Sequence, residues 1–306
     1  MRHVSRFKTY EPMSESIQIR IHGEASLPTL VYLPGMHGDW TLVSSFRAAI
    51  AGKVRFVEFT YPRTTTWSLE DYARSIEERL LANGIDGGWL LGESFGSQPA
   101  WQIIKHALAG VRPSPAPAAA IGTGRGGDAG APPMSGFCPR GLILAGGFVR
   151  HPVIWAVRMA GWVSRVVPLW FVKLFCLLYA GYAGFRHKRA PETLVSVAEF
   201  VANRTIEADR RAIVRRYALI ADNDLRPVAR ATRMPVFYLA GSVDPLVPWC
   251  YVRWWLRRNC PGYRGGTTVW RADHNVLGTA PAQAAILILR WMSAPTAEDA
   301  RIRNSR

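Results

Sequence analysis

Trp89-Leu90-Leu91-Gly92-Glu93-Ser94-Phe95-Gly96-Ser97 runs an apolar stretch into a Gly-x-Ser-x-Gly pattern, and a helix-compatible segment, Ala100-Trp101-Gln102-Ile103-Ile104-Lys105, follows it. Strand, tight turn and helix in that order are the context of a nucleophile elbow, which lifts a serine hydroxyl above the C-terminal edge of a parallel sheet. Such a turn strains the serine backbone and draws strand and helix together, so only small residues fit two positions either side of Ser94. Gly92 and Gly96 meet that demand. The five-residue pattern alone is common, and the flanking strand and helix give it its weight.

Working upstream, residues 29–33 form a continuous apolar run of the kind buried on both faces of a parallel sheet, ending in Pro34-Gly35-Met36-His37-Gly38-Asp39. A glycine-rich loop after such a strand can aim backbone N–H groups at a ligand. Residues 40–51 read as helix and 54–61 as strand. Ser68-Leu69-Glu70-Asp71 then opens a helix with a capping-box pattern that stops at Asn83-Gly84. Strands alternating with helices imply right-handed βαβ units and a parallel sheet. Residues 6–10 and 17–22 read as two further strands, a half-buried edge hairpin.

Downstream, residues 111–140 change character, with prolines, small residues and the cluster Gly122-Thr123-Gly124-Arg125-Gly126-Gly127. No strand precedes the cluster and no lysine follows in the Walker arrangement, so a flexible surface insertion is expected rather than a phosphate cradle. The sheet resumes at 141–147. Residues 151–233 contain no strand pattern and four helical ones, at 153–167, 169–185, 192–202 and 206–221, which reads as an all-helical lid between two strands. The most apolar of these, 169–185, is near the lower limit for spanning a bilayer and contains Lys173. A last pair of strands is expected at 235–241 and 267–271, and 296–306 reads as a tail. The organisation is therefore a core in two parts, 1–150 and 234–295, with the lid inserted between them.

Composition sets the outer bounds. A chain of 306 residues with 49% hydrophobic content can bury a sizeable core, and disorder throughout is excluded. The net charge of +16 is mostly arginine, and in the absence of any nucleic-acid-binding motif it predicts no nucleic-acid partner. Four cysteines, at 138, 176, 250 and 260, have no C-x-x-C spacing and read as free thiols of a reducing compartment. The first eight residues lack the apolar run of a signal peptide, so a cytoplasmic location is expected.

Asp244 follows the strand at 235–241, where an aspartate either starts a turn or serves as a site carboxylate. His274, in Ala272-Asp273-His274-Asn275, follows the last strand. Ser94, Asp244 and His274 thus occur in the order nucleophile, acid, histidine, each just after a predicted parallel strand, which would bring all three to one sheet edge. This arrangement resembles the α/β-hydrolase family from about residue 30 to 291, the insertion excepted. Residues 33–38 are similar to the family's oxyanion loop, Gly92-Glu93-Ser94-Phe95-Gly96 to its nucleophile elbow, Gly241-Ser242-Val243-Asp244 to its acid turn and Asp273-His274 to its histidine loop. One departure is Pro34-Gly35 where the family more often has His-Gly.

The resemblance implies an α/β fold with a mostly parallel central sheet, flanking helices and a helical lid. It further implies nucleophilic catalysis by Ser94, His274 as base, Asp244 holding the imidazole, and an oxyanion hole from the backbone N–H groups of Met36 and Phe95. That chemistry needs neither metal nor cofactor. The expected substrate is a small carboxylic ester. The large apolar side chains of 153–185 suggest that it is lipophilic, and Arg158, Arg165, Lys173 and the basic cluster at 186–189 suggest that the lid rests on an anionic inner membrane surface. Thioester hydrolysis, acyl transfer, C–C cleavage and cofactor-free haloperoxidation remain open within the same fold, as does a non-catalytic binding protein.

Overall fold

The computed structural model describes residues 16–110, 136–168 and 207–293, together with 170, 171, 174, 178 and 181. Seven strands form one sheet: β1 (Gln18–His22), β2 (Thr29–Leu33), β3 (Arg55–Thr60), β4 (Gly87–Glu93), β5 (Cys138–Ala145), β6 (Val236–Gly241) and β7 (Tyr263–Val269). Their spatial order is β1-β3-β2-β4-β5-β6-β7. β1 runs antiparallel to β3, and every other pair is parallel. Nine α-helices have their bounds among the described residues: α1 (Ser44–Ile50), α2 (Leu69–Ala82), α3 (Ser97–Ala109), α4 (Ile154–Val166), α5 (Glu207–Asp222), α6 (Arg226–Ala231), α7 (Trp249–Asn259), α8 (Val276–Thr279) and α9 (Pro281–Met292).

Alternation along the strands shows why the sheet is covered on both sides. In β2, Leu30 and Tyr32 join Phe46 and Ile50 of α1 and Ala284 and Ile288 of α9 in one core. Val31 and Leu33 point the other way, into a second core with Ile76 and Leu80 of α2, Trp101 and Ile104 of α3, and Leu256 of α7. A period of two over an apolar run therefore buries both faces at once. Residues after the C-terminal ends of β2, β4, β6 and β7 consequently emerge along one edge.

Local chemistry sets the helix ends. Ser68 caps α2: its hydroxyl accepts the Asp71 N–H at 3.2 Å, and the Asp71 carboxylate accepts the Ser68 N–H at 2.8 Å. Two of the four unpaired N–H groups of that terminus are thereby satisfied.

Several expectations are adjusted. β1 pairs with β3; residues 6–10, its expected hairpin partner, lie outside the described residues. β5 begins at Cys138, inside the span read as insertion, because Cys138 and Pro139 already pair with Gly87 and Gly88. The rest of that span, 111–135, lies outside the described residues, as do the helix expected at 192–202 and the tail. β7 starts earlier than expected and ends at Val269.

Between β5 and β6 the described chain is helical. α4 packs on α5 where Gly161 meets Tyr217, and an added Cβ at Gly161 would lie 3.1 Å from the Tyr217 Cβ. α5 is fixed to the strand layer by arginines: Arg63 Nε donates to Asp209 at 2.7 Å, and Arg215 Nε to the Trp67 carbonyl at 3.0 Å. Among the described residues no helix is long and apolar enough to cross a membrane. Cys138, Cys250 and Cys260 are free thiols.

Candidate active site

Ser94 has φ of +49°, and apart from glycines only Arg271 among the described residues shares a positive φ. A non-glycine residue in that region stores on the order of 1–3 kcal/mol, so the surroundings must hold it there. Packing between backbones does so. An added Cβ at Gly96 would lie 2.0 Å from the Leu33 carbonyl oxygen, and one at Gly92 would lie 2.8 Å from Ser97 Cα. Any side chain at Gly96 would push the turn off the end of β2. Ser97 ties the turn to the next loop: its hydroxyl lies 2.6 Å from the Ser94 carbonyl and 2.9 Å from the Phe148 carbonyl, and accepts the Phe148 N–H at 3.1 Å.

Asp244 lies in the turn after β6 with a fully buried side chain. One carboxylate oxygen accepts the N–H groups of Leu246 and Val247 at 2.8 and 3.0 Å, and the other lies 2.8 Å from His274 Nδ1. The ionised carboxylate can only accept, so Nδ1 carries the ring proton and Nε2 is left as the acceptor. The two loops are locked together by the approach of Gly241, where an added Cβ would stand 2.1 Å from the Asp273 carbonyl oxygen. The Ser242 and Val243 N–H groups also donate to the carbonyls of Val269 and Ala272. Burial disfavours charge on His274, but the Asp244 hydrogen bond and charge outweigh it and raise the pKa above the ordinary histidine value.

Met36 lies in the loop after β2, which passes the serine: an added Cβ at Gly35 would be 3.4 Å from Ser94 Cβ. Phe95 is fully buried, its ring edge-on to Tyr61 and Tyr72 with centroids 6.0 and 5.7 Å away. The structure thus brings Ser94, Asp244, His274, Met36, Phe95, Gly92 and Gly96 to the strand ends where the chain order places them.

Four residues around this constellation escaped the sequence reading. Glu93, directly before Ser94, is buried and accepts a hydrogen bond from the Tyr32 hydroxyl; its carboxylate also lies 4.0 Å from His37 Nε2. Burial pushes the Glu93 pKa up, against the hydrogen bonds from Tyr32 and the Gly35 N–H. A charged residue inside the apolar run 89–97 was the available signal. Arg216 of α5 is buried beneath the loop, donating to the Met36 carbonyl at 2.8 Å and the Pro62 carbonyl at 3.2 Å. Nothing local in the sequence points to that contact.

A small open cleft of about 100 Å³ lies near the acid turn. Val149, Ile154, Val252 and Trp255 form apolar walls, and Arg150 and Arg226 stand among its lining residues. His151 joins it to the acid turn, with Nδ1 accepting the Val153 N–H and Nε2 donating to the Leu246 carbonyl, both at 3.1 Å. Some of the large apolar side chains of 153–185 were expected to line the pocket. Those that are described, Trp155, Trp162, Trp170, Phe171 and Leu178, are 48–72% exposed; for the first two the reason is that α4 turns its small face, Gly161, onto α5. Among the described residues no group of histidine, cysteine and acidic side chains could hold a metal ion.

No family model matches the sequence, and no curated protein does either. Solved structures do match. A hydrolase from Pseudomonas aeruginosa PA01 superposes with a TM-score of 0.68 at 16% identity, over 91% of this chain and 94% of that one. An enol-lactonase from Burkholderia xenovorans LB400 gives 0.65 at 16% identity, over 91% and 96%. A thermophilic esterase from Thermogutta terrifontis gives 0.63 at 16% identity, over 90% and 92%. With its sheet order, its strand-end loops and near-complete overlap with these enzymes, the chain has the α/β-hydrolase fold.

Proposed function

We propose that this chain is a serine hydrolase that cleaves a carboxylic ester through an acyl-enzyme on Ser94. The observation that supports the reading most is the hydrogen bond from His274 Nδ1 to the buried Asp244 carboxylate, which leaves Nε2 as a base on the sheet edge that carries the strained Ser94. A serine hydroxyl is a poor nucleophile at neutral pH, so His274 takes its proton as the oxygen attacks the acyl carbon. Asp244 keeps the tautomer and stabilises the imidazolium. The N–H groups of Phe95 and Met36 receive the developing oxyanion, His274 returns the proton to the departing alcohol, and water then releases the acid by the same route. A lactone is a cyclic ester and would follow the same steps. A panel of esters and thioesters sharing one acyl group tests the reading: turnover confined to thioesters, or absent altogether, overturns it.

The cleft beside the acid turn is the proposed seat of a lipophilic acyl chain. Each buried methylene contributes about 0.8 kcal/mol, close to a four-fold gain. Values of kcat/KM are therefore expected to rise from acetyl to medium-chain esters until the cleft is filled, and a flat chain-length profile removes the lipophilic preference.

The pH dependence follows from His274. The base must be neutral, and its pKa is raised, so kcat/KM is expected to fall as pH drops through a value above about 6.5. In Asp244→Asn that limb should move to lower pH, because the partner that favours the imidazolium has lost its charge. A limb at the same pH in both proteins would separate the pH dependence from this pair.

Arg216 is proposed as a positioning residue for the oxyanion loop, which it holds through the Met36 carbonyl. Arg216→Met should lower kcat roughly 10- to 100-fold with KM little changed, since the oxyanion exists only after binding. An unaltered kcat in a folded variant removes that role.

A further inference from the structure

The hydrophobic side of α4 faces outward. Val157 and Gly161 are buried one turn apart on α5, and at about 100° per residue Trp155, Met159, Trp162, Val163 and Val166 fall within roughly a 100° arc on the opposite side. Their exposures are 72%, 48%, 58%, 42% and 52%. Further along the chain Trp170 and Leu178 are also exposed, at 65% and 64%. Nine of the seventeen large exposed apolar residues in the described chain belong to residues 155–178, so this is a patch and not the usual scatter of single apolar side chains.

Within α4 the charges have one sign. α4 contains no acidic residue, and its two charged side chains, Arg158 and Arg165, are both exposed and fall on the same edge of the stripe. Among the described residues Arg158 has a loose partner in Asp222, at 4.0 Å with both side chains about two-thirds exposed. The chain as a whole carries +16. Tryptophans settle at the headgroup level of a bilayer, and arginines at the rim of an apolar face meet anionic headgroups. A second copy of the chain fits less well. An isologous contact on this stripe would set Arg158 and Arg165 near their own images, with no carboxylate in α4 to answer them.

We infer that α4 and the exposed residues after it form a docking face for an anionic lipid surface, with the tryptophans inserted at the interface and Arg158 and Arg165 on the headgroups. The face is built outside the catalytic constellation and does not depend on the ester-hydrolase reading. It would hold the enzyme where lipophilic esters partition.

Co-sedimentation of the full chain with vesicles tests this, comparing pure phosphatidylcholine with a mixture of about one-third phosphatidylserine, at low and high salt. Binding is expected to the anionic vesicles at low salt, about ten-fold weaker or more at high salt or on neutral vesicles. A blue shift of tryptophan fluorescence should accompany it. Trp155→Ser with Trp162→Ser should weaken binding at least about ten-fold, and Arg158→Gln with Arg165→Gln should weaken it and flatten the salt dependence. All four side chains are exposed, so circular dichroism and thermal unfolding should stay as in the parent. Three results overturn the inference: no sedimentation with anionic vesicles at low salt; sedimentation undiminished by the tryptophan pair, which would make it a property of net charge alone; or a dimer in solution that the tryptophan pair dissolves while vesicles bind neither form.

Discussion

Ser94→Ala and His274→Ala are each expected to lower kcat by about 10⁶, and the double variant should be little worse than either. The reason is that each step needs both groups at once: without the base the hydroxyl is unreactive, and without the hydroxyl the base has no proton to take. Asp244→Asn should fall by roughly 10⁴, because the amide disturbs the tautomer that the carboxylate enforces at Nδ1 while leaving nucleophile and base in place. What remains reflects the oxyanion donors and substrate binding, which do not depend on these side chains. Steady-state and single-turnover rates on one ester decide the matter. Losses that multiply in the double variant would mean that the two residues act independently, and the shared mechanism would have to be given up.

Gly96→Ala is expected to be among the most damaging single-methyl additions in the described chain. Its Cβ would stand 2.0 Å from the Leu33 carbonyl oxygen, 2.6 Å from the Leu33 carbonyl carbon and 2.8 Å from the Pro34 carbonyl oxygen. All three are backbone atoms, so no rotamer change relieves the clash. Either the elbow or the C-terminal end of β2 must move. A loss of at least about 3 kcal/mol is expected, which for a domain of this size lowers Tm by roughly 6–12 °C. Activity should fall beyond what the unfolded fraction explains, because the displaced segment is the one that carries Met36 past Ser94. A variant with parent-like Tm and parent-like kcat would show that the turn has room which this packing denies it.

The sheet and the Ser94 turn were legible because their signals are local. Thr29–Leu33 is apolar at every position after the threonine, and only a strand covered on both faces needs that; Gly92 and Gly96 bracket the serine where two backbones meet. Asp244 was ambiguous between a turn former and a site carboxylate, and its two oxygens serve both ends, one on the Leu246 and Val247 N–H groups and the other on His274. What escaped the sequence was long-range. Tyr32 and Glu93 are 61 positions apart, and Arg216 reaches Met36 across 180. The helical period of α4 was readable, but not which way its apolar stripe faces. That depends on Gly161 meeting Tyr217, a contact that a period of 3.6 residues does not reveal.

The central claim is that Ser94 is an activated nucleophile. Treating the full-length protein with a serine-reactive fluorophosphonate, followed by peptide mass analysis, tests it most directly. The account predicts one adduct per chain on the peptide containing Ser94, absent from Ser94→Ala and greatly slowed in His274→Ala. Well-folded parent protein that takes up no label, or that is labelled on a serine other than Ser94, would contradict it.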